Sequence, residues 1–420
     1  MASFARKLAD KFIAAAGTRL ALAVNKWLVI LHAAKMLPID QFAAFAATLS
    51  IAEILRIIAD SGTESIIYSR ARAEGRPLPF FVRACFELRT ATSVIICLIA
   101  VLIGWLVTNN SDNLPLLLMI VPLSLQSSAV ALLQRSESQK KFFALGIFSL
   151  GVCSISTVFL IAGESQSQLI HALQILTPEA SVAIFAVYLL KNNIYILRLS
   201  WSHFSRSIRT IYGLLWRSGL GAVIVISYSR LDVLLVKPLL GADLQADYSA
   251  GFRLVEPAAV LFGFATTALL SEFGNRGGLE LKEKIGKVLL KIKLWQLIPS
   301  IFLCLLISVV IYFGAVSMLG FSRNASIVAC LLALIMPVRA VSGIITAIQI
   351  RFSQMGSVLM ATIVNLSMTL TISIVFARHY GIYAICAAAL IGELASISYQ
   401  LFNLSRFWKT KTIIPLVNQR

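Results

Sequence analysis

The sequence predicts an all-α polytopic membrane protein with twelve transmembrane helices in two six-helix lobes related by a parallel repeat. Three observations predict it. Hydrophobic residues make up 58% of the 420 and charged residues 13%, against roughly 45–50% and ~25% in soluble domains. A water-soluble fold cannot hide that much apolar surface behind so few charges, and a disordered chain is excluded on the same ground. Apolar runs near the ~20 residues that span hydrocarbon recur from about residue 12 to residue 405. A short pattern in the first half also returns 203 residues later.

The first lobe (1–205) holds runs at 12–35, 41–67, 82–107, 113–134, 142–163 and 168–190. The second (206–420) holds runs at 211–237, 244–270, 288–314, 325–350, 354–377 and 380–405. Span 1 follows Arg6, Lys7 and Lys11, which resemble the start of a signal peptide, but Arg19 and Lys26 interrupt the apolar core such a peptide needs. Span 2 carries Glu53, Arg56 and Asp60 at i, i+3, i+7, along one side of a helix, with Glu64 beyond. Spans 3, 4 and 5 are apolar apart from their basic ends, and span 6 carries Glu179. Spans 7 and 8 carry Arg217, Arg230 and Asp232, then Arg253 and Glu256. Spans 9 and 11 carry no charge apart from their basic ends, span 10 carries Arg339, and span 12 carries Glu393. The runs are too long and continuous for barrel strands.

Lysine and arginine orient the chain. The loops and ends near 6–11, 70–89, 135–141, 191–209, 276–293, 351 and 406–420 hold 26 of them; the alternate set holds only Lys35, Lys237, Arg323 and Arg378. Both termini are expected in the cytoplasm of a bacterial-type inner membrane, as an even number of spans requires. The outer loops near Asn109–Asp112, Gly163–Gln168 and Gly314–Arg323 are too short for a folded catalytic domain. The longest polar segments, 191–210 and 271–287, are basic and suit orientation and contact with anionic headgroups.

The net charge of +18 is divided between the two sides of the membrane, so no single nucleic-acid-binding face forms. Cys85, Cys97, Cys153, Cys304, Cys330 and Cys386 lie in or beside apolar runs with no CxxC pair and read as small buried hydrophobes. His32, His171, His203 and His379 are isolated and lack metal-ligand spacing. Nothing calls for a metal or cofactor.

Charged side chains at the centre of a span cost about 2.5–3.5 kcal/mol on insertion scales and face the bundle interior or a hydrated cavity. Of fourteen such residues, eleven lie on spans 1, 2, 7 and 8. These four spans are therefore expected to surround a polar cavity, with the others meeting lipid. Lys26 and Arg230 have no opposite charge at i±3 or i±4, whereas Glu53–Arg56 and Arg253–Glu256 have the spacing of intrahelical pairs.

The repeat runs through the same spans. Leu37, Asp40, Phe45 and Glu53 are spaced as are Leu240, Asp243, Tyr248 and Glu256. An even number of spans separates the copies, so both halves point the same way, and transporters place their substrate site between such repeats.

These residues resemble the polysaccharide flippases of the multidrug/oligosaccharidyl-lipid/polysaccharide exporter superfamily. The match rests on Arg230-Leu231-Asp232, Leu240-Gly241, Ala246-Asp247-Tyr248 and Arg253-Leu254-Val255-Glu256, and on Phe42-Ala43-Ala44-Phe45 and Asp60-Ser61-Gly62 in the first half. Ala43 and Ala246 stand where glycine is common in that family. The resemblance implies a membrane transporter turning a polyprenyl-diphosphate-linked oligosaccharide from the inner to the outer leaflet by alternating access, for surface polysaccharide biosynthesis. Arg19, Lys26, Arg56, Arg217, Arg230, Arg253 and Tyr248 are then the expected substrate-binding residues. Asn25, Tyr228 and Ser229 join Tyr248 as partners for sugar hydroxyls. Glu53, Asp60 and Glu256 are the candidates for proton or sodium coupling. The rivals are a drug or metabolite antiporter of the same superfamily, a lipid-linked peptidoglycan precursor flippase and, in a different class, an integral membrane glycan polymerase or ligase. The short outer loops and six bases against five acids on the four charged spans weigh against the first and last of these.

Overall fold

The computed structural model describes residues 2–60, 63, 78–107, 112–135, 139–163, 167–190, 220, 223–224, 230, 232–256, 322–351 and 354–410. These residues are almost wholly α-helical. The first half contains α1 (Ala2–Met36), α2 (Ile39–Asp60), α3 (Leu78–Val107), α4 (Leu114–Leu118), α5 (Ile120–Arg135), α6 (Gln139–Ala162) and α7 (Gln168–Leu190). In the second half residues 232–240 and 242–256 are helical, followed by α8 (Arg323–Ala333), α9 (Ile335–Arg351), α10 (Met355–Tyr380) and α11 (Ile382–Thr410). Among the described residues seven helices are long and apolar enough to cross a membrane. They match the expected spans 2, 3, 5, 6, 10, 11 and 12. Span 9 and most of span 7 lie outside the described residues, as does the second half of span 8.

Two expected spans are each interrupted at one turn residue whose backbone stays near helical, so that α8 and α9 together make the one crossing helix of span 10. Span 4 turns at Met119 between α4 and α5; span 10 turns at Leu334 between α8 and α9. Proline explains both. Pro122 and Pro337 lack an N–H and their rings clash with the carbonyl four residues back, at Leu118 and Ala333, where the first helix of each pair ends. The stretches Leu116–Pro122 and Leu331–Pro337 are alike in sequence (LLLMIVP and LLALIMP), so the same break occurs in both halves.

The 203-residue repeat is also structural. α2 begins at Ile39, and its counterpart begins at residue 242. The turns before them hold Pro38 in one half and Gly241, at φ +96°, in the other. Both turns are closed by the same bonds: Phe42 N–H to Pro38 O at 2.9 Å, and Gln245 N–H to Gly241 O at 3.2 Å.

The halves interlock. Leu31 and Trp27 of α1 pack into the second-half core of Val233, Val236, Tyr248 and Val255. Ala250 and Ala325 pack into the first-half core of Val29, Ile30, Phe42 and Phe45. Away from the seam, α3 exposes Ile95, Leu98, Leu102 and Trp105, and α6 exposes Ile147, Leu150, Val158 and Phe159. Such long exposed apolar stripes fit an acyl-chain surrounding.

One assignment is corrected. Arg89 falls among the basic loop residues in the sequence reading, yet it lies eleven residues into α3 and is buried. Burial is tolerated because its Nη1 meets Asp60 Oδ1 at 2.7 Å and its Nη2 bonds Ser127 Oγ. A buried charge persists when paired and hydrogen-bonded.

Candidate functional site

Five charged side chains converge where the two halves meet. Lys26 projects from α1 and Glu53 from α2. Arg230, Arg253 and Glu256 come from the second half. Lys26 Nζ lies 2.5 Å from Glu53 Oε1 and 3.2 Å from Glu256 Oε1. Arg230 Nη2 reaches Glu256 Oε1 at 2.6 Å and Glu53 Oε2 at 2.8 Å. Arg253 Nη1 reaches Glu256 Oε2 at 2.6 Å and Glu53 Oε2 at 3.5 Å. Each carboxylate is shared by all three cations. Their depth follows from helix geometry: Glu53 and Glu256 each sit fourteen residues from the start of their helix, about 21 Å at ~1.5 Å per residue.

The cluster has the symmetry of the repeat and one departure from it. Glu53 and Glu256 are equivalent, 203 residues apart, and Lys26 and Arg230 flank them from the preceding helices. Arg253 is equivalent to Ser50, and the two touch: Arg253 Nη2 donates to Ser50 Oγ at 3.3 Å. Equivalent residues in contact lie at the pseudo-twofold axis. Within the ion-paired group the departure leaves three cations against two carboxylates; Glu179 of α7, also buried, lies within electrostatic reach of Lys26, Arg56 and Glu53.

Burial is graded. The Arg253 side chain is 1% exposed and that of Lys26 18%. The Phe252 ring lies beneath both guanidinium groups, 4.9 Å from the Arg230 carbon and 5.7 Å from that of Arg253, an arrangement that favours cations. Arg230 Nε and Nη1 are buried and have no hydrogen-bond partner among the described residues. Among the described residues, then, two donors of a charged group have no acceptor, and a bound acceptor there would be favourable.

The remaining predicted site residues are distributed otherwise. Asp60 belongs to a separate buried group, paired with Arg89 and accepting from Thr63 Oγ1 at 2.5 Å; this group clamps α2 to α3. Tyr248 is fully buried in the second-half core, its hydroxyl donating to Asp232 Oδ2 at 2.7 Å. Asn25 is buried and donates to the Gln174 carbonyl at 3.3 Å. Arg56 is half-buried on α2. Arg217, Tyr228, Ser229 and the side chain of Arg19 lie outside the described residues. The predicted intrahelical pair Arg253–Glu256 forms, inside the larger cluster. Arg339 and Glu393 pair with each other at 3.0 Å.

Sequence reasoning missed Ser50 and the contact between His32 and His171. The 203-residue register, extended by one position to Arg253, points to Ser50. The histidines are brought together from isolated positions, correcting the expectation that each stands alone: His32 Nδ1 and His171 Nε2 lie 3.0 Å apart. No sequence spacing carries that contact, because α1 and α7 meet only in the folded lobe. Among the described residues no group of His, Cys, Asp or Glu could hold a metal ion.

The fold is that of the MATE transporters of the MOP superfamily, in two lobes. Among solved structures, a MOP superfamily transporter from Pyrococcus furiosus Vc1, described by the reverse polarity of its binding pocket and the different function this suggests, superposes with a TM-score of 0.71. It shares 15% identity, over 97% of this chain and 96% of that one. A multidrug resistance MATE family transporter in its outward-facing conformation gives 0.70 at 15% identity, covering 96% of each chain. An inward-facing multidrug resistance MATE gives 0.67 at 15%, over 94% of this chain and 96% of that one. At these identities the likeness is one of fold. These neighbours are transporters, not enzymes. No family model and no curated protein matches the chain.

Proposed function

We propose that this protein is a secondary transporter working by alternating access and that its cargo is anionic. The observation that carries this is the excess of Lys26, Arg230 and Arg253 over Glu53 and Glu256 at the contact between the halves. A cationic cargo gains nothing from such a site. An anion satisfies the idle Nε and Nη1 of Arg230 and competes with the carboxylates for the other guanidinium, since charge-assisted bonds to Arg are strong and often bidentate. Because the same residues tie the halves together, displacing a carboxylate loosens the tie, which links binding to the rocking of one lobe (1–205) on the other (206–420).

The fold neighbours favour an exporter of a drug-like or metabolite anion over a lipid flippase, since two of them are multidrug resistance transporters. The neighbour with reversed pocket polarity supports reading function from the sign of the pocket. Flipping of a polyprenyl-diphosphate-linked oligosaccharide is the second reading; the diphosphate suits the same cations and the sequence motifs favour it. In either case Glu53 and Glu256 are the proposed coupling acids because they lie where the halves meet, whereas Asp60 lies apart in its pair with Arg89. The lysine and arginine bias supports an inner-membrane orientation with both ends in the cytoplasm. Transport in proteoliposomes of an anionic amphiphilic dye, its cationic analogue and a labelled polyprenyl-diphosphate saccharide tests these readings. Movement of either anion supports the proposal and distinguishes its two forms; movement of the cation alone overturns it.

A further inference from the structure

Apart from the charge cluster, α1 and α7 meet along a polar seam. Asn25 and His32 are seven residues apart on α1 and so share a face; His171 and Gln174 oppose them on α7. Asn25 Nδ2 donates to the Gln174 carbonyl at 3.3 Å, and Ser156 Oγ of α6 donates to the same oxygen at 3.2 Å. That carbonyl is open because Pro178, four residues on, has no N–H. Two turns further along α1, His32 Nδ1 meets His171 Nε2 at 3.0 Å, and His171 Nδ1 lies 2.8 Å from the Ser167 carbonyl.

The bonding fixes the protons. A carbonyl only accepts, so His171 Nδ1 carries hydrogen. In the neutral ring Nε2 is then a lone pair, and His32 Nδ1–H donates to it. The fourth nitrogen, His32 Nε2, makes no hydrogen bond among the described residues. His171 is buried and His32 half-buried.

We infer that His32 and His171 form a proton-binding site that holds one proton, on His32 Nε2, with the α1–α7 contact intact. A proton from solvent adds to that lone pair, the His32 ring becomes an imidazolium, and its Nδ1–H goes on donating. A second proton would have to occupy the lone pair on His171 Nε2. Two N–H groups would then face each other, and the contact would open. α1 also carries Lys26, so the state of the pair bears on a member of the charge cluster.

The charged and titratable groups around the pair include Glu179, buried on α7 eight residues beyond His171, on the side of the seam that carries Lys26. Lys35, three residues on from His32 along α1, is exposed. α2 turns the Phe45 ring edge-on to His171, with centroids 6.4 Å apart. α6 offers Ser156 and Leu160. Asp40 in the first turn of α2 and Asp112 before α4 are exposed, as is Lys237. Asp232 is held by Tyr248.

The inference is independent of the cargo. It is tested by nitrogen-15 NMR of histidine side chains in the whole protein, titrated from pH 8 to pH 5, with each ring assigned from a single His→Gln variant. His171 is expected as the Nδ1–H tautomer, staying neutral while His32 titrates, so the pair takes up one proton. An Nε2–H tautomer at His171, or two rings titrating alike, overturns the site. In His32→Gln the amide still donates to His171 Nε2, so the tautomer at His171 is expected to persist and the titration at the seam to vanish. Loss of that tautomer in the variant also counts against the assignment.

Discussion

Arg253 donates to Ser50 at 3.3 Å, and the two residues hold the same place in the two halves, 203 residues apart. Ser50 can accept because its own hydroxyl hydrogen goes to the Ala46 carbonyl at 2.9 Å, one turn back. The contact places the pseudo-twofold axis within the charge cluster and identifies the residue that breaks its balance. Arg253→Ser makes the two halves alike and leaves Lys26 and Arg230 against Glu53 and Glu256. Loss of a charge-assisted bond is worth about 1.5–3 kcal/mol. Anion binding, measured by equilibrium titration of the purified protein, is expected to weaken by about ten- to a hundredfold. An unchanged affinity would remove Arg253 from the site.

Asp60 and Arg89 form a buried pair apart from the charge cluster, and their expected role is to stabilise the fold. Removing one partner of a buried pair costs about 3–5 kcal/mol because the other charge is left uncompensated. Asp60→Asn should lower the melting temperature in detergent without altering the preference between anionic and cationic cargo. Asp60→Asn with Arg89→Met should recover most of the loss, since an apolar replacement of both partners is often neutral. A changed cargo preference in the single variant would return Asp60 to the transport machinery.

Pro122 and Pro337 break spans 4 and 10 at matching places. Alanine at either position restores an N–H to a helix that lacks it and removes the ring clash. Amide hydrogen exchange around Met119 or Leu334 should slow in Pro122→Ala and Pro337→Ala respectively. Unchanged exchange would show that the break is held by packing instead.

Much of the architecture was readable from the sequence for physical reasons. Long apolar runs dictate helices in hydrocarbon, and the cost of intramembrane charge predicts that Lys26, Glu53, Arg230, Arg253 and Glu256 face inward, as they do. The 203-residue register foretold the equivalence of Glu53 and Glu256. What the sequence hid is which charges find each other. Asp60 follows Glu53 by seven residues on the same helix side, yet it pairs with Arg89 because α3 packs there. The sequence offers Tyr248 as a hydroxyl for sugars; in the fold its ring packs in the second-half core and its hydroxyl donates to Asp232. The breaks at Met119 and Leu334 were legible in Pro122 and Pro337 once a second register was sought.

Gly392 marks a close approach of α10 and α11. A Cβ there would press on Thr369 Oγ1 and sit 2.5 Å from Asn365 Oδ1. Overpacking typically costs about 1–3 kcal/mol. Gly392→Ala is expected to lower the melting temperature, whereas Gly356→Ala, with no atom within 4 Å of the new methyl, should not. Equal behaviour of the two variants would mean that the helices part easily.

The sign of the central cluster is tested most directly by proteoliposomes loaded with an anionic amphiphilic dye or its cationic analogue, comparing the natural protein with Lys26→Ala plus Arg230→Ala. Export of the anion, reduced at least about tenfold in the double variant as two charge-assisted contacts are lost, is the predicted result. Export of the cation in preference, or a double variant that carries the anion at the natural rate, would contradict it.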